Sequence, residues 1–425
     1  MWQQLNQIAL TEEQQERVVK RAIESLRGLD TAVVRNREQL RAHARGGVLQ
    51  ALQALGWNTN AAQMAAMVTQ VVARVSGLGF LDDLLRPEEF TEIALNPDGS
   101  LFVQRRDARY MEPVVGYRPT VEEAMRVAEA LAGMVGQQLS IANPTINGRL
   151  RRDKASGFGG ARVKILHPIL TVGDGYPAIS VRLFYPRRVL PQDLIDWGLA
   201  PEGVIQGLLE LVARRARIMI VGGTTMGKTT LLSALCDGIP REARIIKVED
   251  PEEIFLDHPN VITIEPYSPS WAERETMKAY TIADALADVM RMRPDWLIVG
   301  EVRRGDHVMN LLRAQLSGHP GMTSLHAFGP EEAVQTIETL VFNDLSIGRS
   351  GTKSTLALAV DVLVYLDWAD GKRRIMGVWE VDAQLHGGNV KFRQRYAYGS
   401  GQTTLEPIQR RLLGDMPGRT EKEVS

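Results

Sequence analysis

Residues 221–235 read VGGTTMGKTTLLSAL, and this stretch decides the fold. Gly222, Gly227, Lys228 and Thr229 meet the phosphate-loop spacing G-x-x-x-x-G-K-[ST]. The apolar run Ile218–Val221 just before it has the texture of a buried strand, and Lys228 opens a helical stretch, KTTLLSALCD. Strand, loop, helix is the order that phosphate binding needs. The backbone from Gly222 and Gly223 through Thr224, Thr225, Met226 and Gly227, with the helix start at Thr229 and Thr230, cradles the phosphates. Lys228 neutralises their charge, and the Thr229 hydroxyl is placed to ligate Mg²⁺. Thr225 and Met226 hold the tip, where a glycine and a serine would be more at home. A β-branched residue forced to positive φ costs on the order of 1–3 kcal/mol, so we expect these positions to be met with negative φ.

The rest of the 425 residues bounds what such a loop can serve. A chain of this length calls for two or three domains. A composition 44% hydrophobic and 24% charged is that of a globular protein. The net charge of −1 gives no overall field toward nucleic acid or anionic lipid. Cys236 is the only cysteine, which excludes an intramolecular disulfide and fits a reducing compartment. The N-terminal residues lack a signal-peptide core, and nowhere do about 18 apolar residues run together. The expectation is a cytoplasmic protein.

Five segments follow from the texture of the chain. Residues 1–76 carry Val18, Ile23, Leu26, Leu49, Leu52 and Leu55 at helical spacing, which predicts a helical extension. Residues 77–185 read as a small α+β domain. There EIALN and LFVQR flank the turn NPDGS, a helix capped at Thr120–Glu123 follows, and GARVKIL and AISVRLF return to strand. Residues 186–200, rich in proline, read as a linker. Residues 201–398 alternate continuous apolar strands with helical patterns, which predicts a mostly parallel sheet covered on both faces. Residues 399–425 read as a polar, loose tail.

Two acidic strand ends accompany the loop. In RMRPDWLIVGEVR the run Trp296–Val299 predicts a buried strand, with Glu301 emerging at the carboxyl edge where such sheets hold ligands. An acid there can hold the water shell of Mg²⁺ or polarise an attacking water. In IIKVEDPEE, Glu249 leaves a second strand and is a candidate for positioning water. LSGHPGMTSLHA places His319 and His326 about a Gly/Pro turn. Two histidines without cysteines make no convincing zinc site, and the functional alternative is that His326 senses the γ-phosphate. No [NT]-K-x-D element for guanine occurs, so ATP is the expected nucleotide. No basic or aromatic stretch for DNA stands out.

In this order the motifs resemble those of the secretion ATPases of the type II/type IV superfamily, over roughly residues 78 to 383. GGTTMGKTTLLSAL looks like their Walker A segment, IIKVEDPEEI like the Asp box, RMRPDWLIVGEVR like Walker B and LSGHPGMTSLHA like the His box. FTEIALNPDGSLFV, GARVKIL and AISVRLF resemble strands of the N-terminal domain. The resemblance implies a RecA-like P-loop ATPase core behind a smaller α+β N-terminal domain, with ATP and Mg²⁺ as cofactors. It gives Lys228, Glu301, Glu249 and His326 catalytic roles, with Thr229 and Glu301 toward the metal. Arg162 and Arg182 would reach the phosphates from the N-terminal domain. It also implies a homohexameric motor, peripheral at the inner face of the cytoplasmic membrane, serving inner-membrane secretion or pilus-platform proteins. One cysteine excludes the zinc module of the general-secretion branch. The helical extension and the GMTSLHA form point to the conjugation (TrbB-like) and Tad-pilus (CpaF-like) branches. A nucleotide-binding scaffold with little turnover, and a DNA translocase, remain as alternatives.

Overall fold

The computed structural model describes residues 10–415 apart from 27–28, 30–32, 34–36, 77, 83, 86–87, 107, 153–157, 268 and 270–275. The chain divides into two compact units that part between Arg187 and Arg188.

The first unit begins with helices α1 (Glu12–Ser25), α2 (Arg37–Leu55) and α3 (Ala61–Ser76). A capping box starts α1: the Thr11 hydroxyl accepts from the Gln14 amide, and the Gln14 side chain accepts from the Thr11 amide. Val18, Val19, Ala22, Leu40, Ala44, Val48, Met67 and Val71 form the shared core. Leu49, expected at a core position, is 43% exposed. The 3.6-residue period puts its neighbour Val48 inward instead.

The remainder of this unit is an antiparallel six-stranded sheet in the order β3-β2-β1-β6-β5-β4. Its strands are β1 (Phe90–Leu95), β2 (Leu101–Arg105), β3 (Glu112–Pro113), β4 (Thr145–Leu150), β5 (Ala161–Leu166) and β6 (Ala178–Leu183). Helix α4 (Val121–Met134) starts at the Thr120 cap and buries Ala124, Val127, Ala128 and Leu131. The two-residue period of β5 and β6 turns Val163, Ile165, Ile179 and Val181 into this core. It therefore turns Arg162 and Arg182 to the opposite face.

The second unit is an α/β layer built on an eight-stranded sheet, β14-β13-β12-β7-β11-β10-β8-β9. The strands β7 (Arg217–Gly222), β8 (Ile245–Val248), β9 (Val261–Ile264), β10 (Trp296–Val299), β11 (Gly321–Leu325) and β12 (Val362–Ala369) run parallel. The long hairpin β13 (Lys372–His386) and β14 (Asn389–Ala397) adds an antiparallel flank. Every residue of β7, β8, β10 and β11 is buried, as strands covered on both faces must be. The helices of this layer are α6 (Glu202–Ala213), α7 (Lys228–Leu235), α8 (Ile282–Val289), α9 (Gly305–Leu316), α10 (Pro330–Leu345) and α11 (Arg349–Ala359). Among the described residues no helix is long and apolar enough to cross a membrane.

Two segments differ from the sequence expectation. The stretch read as a linker folds into the short helix α5 (Pro191–Asp196), with Pro191 in its first turn and Leu194 buried. A proline at that position removes a donor that has no helical partner anyway. The tail is not loose over 399–415. Leu412 is fully buried, and Arg410 Nε lies 2.7 Å from the buried carboxylate of Asp361. That carboxylate also accepts from Arg217, at the start of β7, through Nε at 2.9 Å and Nη2 at 2.6 Å. The tail thus closes an ion cluster at the amino end of the strand that leads to the phosphate loop.

Candidate active site

Parallel strands bring their carboxyl ends to one edge, and the candidate residues gather there. β7 runs into the loop at Gly222, where a Cβ would stand 2.7 Å from the Leu366 carbonyl oxygen, so only glycine fits. Gly227 caps α7 with φ 89°, in the left-handed region that favours glycine. Thr225 also has positive φ, 64°, contrary to the expectation of negative φ. The sharp reversal of the loop tip is met by backbone strain at a β-branched residue. Thr224 and Thr225 are exposed, whereas Met226 is buried beneath the loop. Its side chain anchors the tip, so only its backbone is offered to a ligand.

Lys228, 7% exposed, opens α7 and turns back over the loop. Its ammonium donates to the carbonyls of Gly222 at 3.0 Å and Gly223 at 2.8 Å, and lies 3.1 Å from Nδ1 of His326. His326 follows β11, the strand beside β7, and its Nε2 lies 2.6 Å from Oε1 of Glu301. Glu301 stands two residues past β10, the next strand, and its Oε2 accepts from Arg303 Nε at 2.6 Å. Burial, with the Lys228 charge next, holds the His326 imidazole below its usual range against the pull of Glu301. Nδ1 thus faces the Lys228 ammonium and Nε2 the Glu301 carboxylate, so the ring sits between the two charges. Lysine, histidine and acid from three adjacent strand ends therefore form one chain of contacts.

Glu249, at the end of β8, is 2% exposed. Its Oε1 accepts from the amides of Glu253 at 3.1 Å and Ile254 at 3.0 Å, and Oε2 lies 3.1 Å from Lys247 Nζ. Burial pushes its carboxyl up, opposed chiefly by Lys247. In this arrangement Glu249 braces the 252–254 segment. Thr229 and Thr230 lie half-buried on the first turn of α7. His319 stands apart, 3.2 Å from the Ala314 carbonyl through Nδ1.

Arg162 and Arg182 lie in the first unit as direct cross-strand partners. Arg149 of β4 faces Arg162 in the same row, and Glu92 of β1 takes Arg182 Nε at 2.7 Å. Like charges placed opposite one another oppose sheet formation, and the Glu92 carboxylate offsets this at Arg182. Arg149 and Arg303 were missed from sequence, since strand register and the fold of a charged side chain back onto Glu301 leave no local signal.

The family model described as "Type II/IV secretion system protein" matches residues 160–365. A putative conjugal transfer protein of Mycobacterium tuberculosis is 29% identical over 343 residues, covering 75% of this chain and 93% of that protein. The type IV secretion system protein VirB11 of Brucella suis is 29% identical over 337 residues, covering 72% and 91%. The X-ray structure of the ATPase DotB of Yersinia pseudotuberculosis superposes with a TM-score of 0.51 at 20% identity, over 72% of this chain and 79% of that one. At that identity the likeness speaks to the fold alone. The family match spans the strands that bring Lys228, Glu301 and His326 to one edge, and relatives match along most of their own lengths. Residues 160–365 thus match the type II/IV secretion system protein family, and the chain is similar to conjugal transfer and type IV secretion proteins along most of their lengths.

Proposed function

We propose that the chain is a hexameric motor whose ATP turnover powers a type IV secretion or conjugation machine, with assembly of a Tad-type pilus as the neighbouring possibility. The observation that carries this is the contact chain from Lys228 through His326 to Glu301. The relatives' own names, conjugal transfer and type IV secretion, favour conjugation or secretion over pilus assembly.

Lys228 donates to the loop's own carbonyls, which the β- and γ-phosphates of ATP would replace. Glu301 then orients a water in line with the γ-phosphorus. The water oxygen bonds to phosphorus as the bond to the β,γ-bridging oxygen breaks, and the water's proton passes toward Glu301. His326, in contact with the carboxylate through Nε2, keeps it aimed. Thr229 and Glu301 offer the oxygen donors that a hard cation takes, directly and through water. Mg²⁺ held there would supply neutralisation of the phosphate charge.

The domain division follows the same reading: a helical extension over 1–76, a nucleotide-closing domain over 77–185 and the ATPase core over 201–398. Arg162 and Arg182 would close on the phosphates, and motion between the domains would pass to membrane-embedded partners while the chain stays peripheral at the cytoplasmic face. A second reading, a scaffold that holds ATP with little turnover, draws on the strained Thr225 tip. Lys228→Ala separates the reading from its failure. Phosphate release should vanish and nucleotide affinity drop, and turnover at the wild-type rate would remove the phosphate-loop assignment.

A further inference from the structure

The strand order fixes which way a nucleotide lies. Lys228, on the helix that follows β7, reaches toward His326 and Glu301, which follow β11 and β10. The γ-phosphate end therefore lies over that side of β7. The other neighbour of β7 is β12, so the ribose and base must leave toward β12. β12 outruns β7 there. Leu366 is in register with Gly222, the last residue of β7, and Asp367, Trp368 and Ala369 continue alongside the loop.

Trp368 and Arg373 are direct cross-strand partners at the tip of this hairpin. The guanidinium carbon lies 5.2 Å from the indole centroid. The stem of Arg373 borders the loop: its Cδ is 3.8 Å from where a Cβ on Gly227 would stand. Asp370 and Gly371 turn the hairpin with φ of 51° and 70°, a tight reversal that holds the pair at a fixed height. Both residues are half-buried. Another ring near the loop, Phe328, is 62% exposed, with Cε1 3.2 Å from a would-be Cβ on Gly223. It follows β11 and so flanks the γ-phosphate side.

We propose that the Trp368–Arg373 pair is the platform on which the base of the bound nucleotide stacks. This rests on the ATP reading of the site and assigns its base end. An indole and a guanidinium offer flat faces that every base can meet, so the platform holds the base without selecting adenine over guanine.

The test uses the full chain and compares Mg-ATP, Mg-GTP and inorganic tripolyphosphate by titration calorimetry. Trp368→Leu keeps apolar bulk but removes the π-face, and Trp368→Phe restores a ring. The Leu variant should lose about tenfold in affinity for both ATP and GTP while tripolyphosphate binding is unchanged, and the Phe variant should recover most of the loss. Equal loss for ATP and tripolyphosphate in the Leu variant, or no loss for ATP, overturns the platform. If wild-type protein binds neither ATP nor tripolyphosphate, the nucleotide reading itself fails, and the platform with it.

Discussion

Arg410→Ala tests whether the C-terminal segment holds the ATPase core together. Arg410 donates through Nη1 to the carbonyls of Ala357 at 2.7 Å, Val360 at 2.9 Å and Val381 at 3.0 Å, and through Nη2 to Leu358 at 2.7 Å. Its Nε pairs with Asp361, whose carboxylate is fully buried. Removing one partner of a buried ion pair costs about 3–5 kcal/mol. Arg217 still pairs with both oxygens of Asp361, so the lower end, about 3 kcal/mol, applies. For a unit of some 150–250 residues each kcal/mol moves Tm by about 2–4 °C, which gives a fall of roughly 6–12 °C. Calorimetry on the full chain should show that fall in one transition, with the transition of the first unit unmoved. A shift of about 1 °C or less would mean that the segment merely lies on the surface.

Two further outcomes follow from the loop and its histidine. Thr225→Gly should relieve strain of about 1–3 kcal/mol at a residue with φ 64°, partly offset by greater freedom in the unfolded chain. Melting should show equal or higher stability with ATP still bound, and a large loss of ATP affinity would reveal a contact role for Thr225. The fold holds the His326 pKa below its ordinary value, so between the two values the unfolded chain binds more protons than the folded one. That contribution is full above about pH 6.5 and is lost as pH falls toward the folded value. An imidazolium facing Lys228, Glu301 and Arg303 cannot accept from Lys228, so turnover should decline on the acid side. His307, also lowered by burial, shares the sign. The control is therefore His326→Gln, whose pH–rate profile should lose the acid limb. An unchanged limb would remove the histidine from the contact chain.

The parallel core was legible because strands such as Trp296–Val299 are apolar at every position and buried at every position. The edge holding Lys228, Glu301 and His326 was legible too, since parallel strands end together whatever their crossovers. What escaped depends on distance along the chain. Arg410 sits in a polar run with no period, and nothing near it announces that Asp361 will bury its charge. Glu249 looks like any acid at a strand end until its carboxylate meets the amides of Glu253 and Ile254. Thr225 satisfies the motif in either backbone region, and only the fold reveals its positive φ. The tight hairpin at Asp370–Gly371 bears its own DG turn signal, but its place beside the phosphate loop follows from the β7–β12 register alone.

The central claim is that Glu301 acts on the chemical step of ATP hydrolysis. Glu301→Gln keeps the size of the side chain and its capacity to accept from Arg303, and removes the charge. Nucleotide binding, phosphate release and the size-exclusion profile should be measured on one preparation. ATP should bind as in wild type, turnover should fall by two or more orders of magnitude, about 3 kcal/mol of barrier, and trapped ATP should shift the chain toward its assembled state. Phosphate release at the wild-type rate would contradict this claim and leave Glu301 as a partner that only steadies His326 and Arg303.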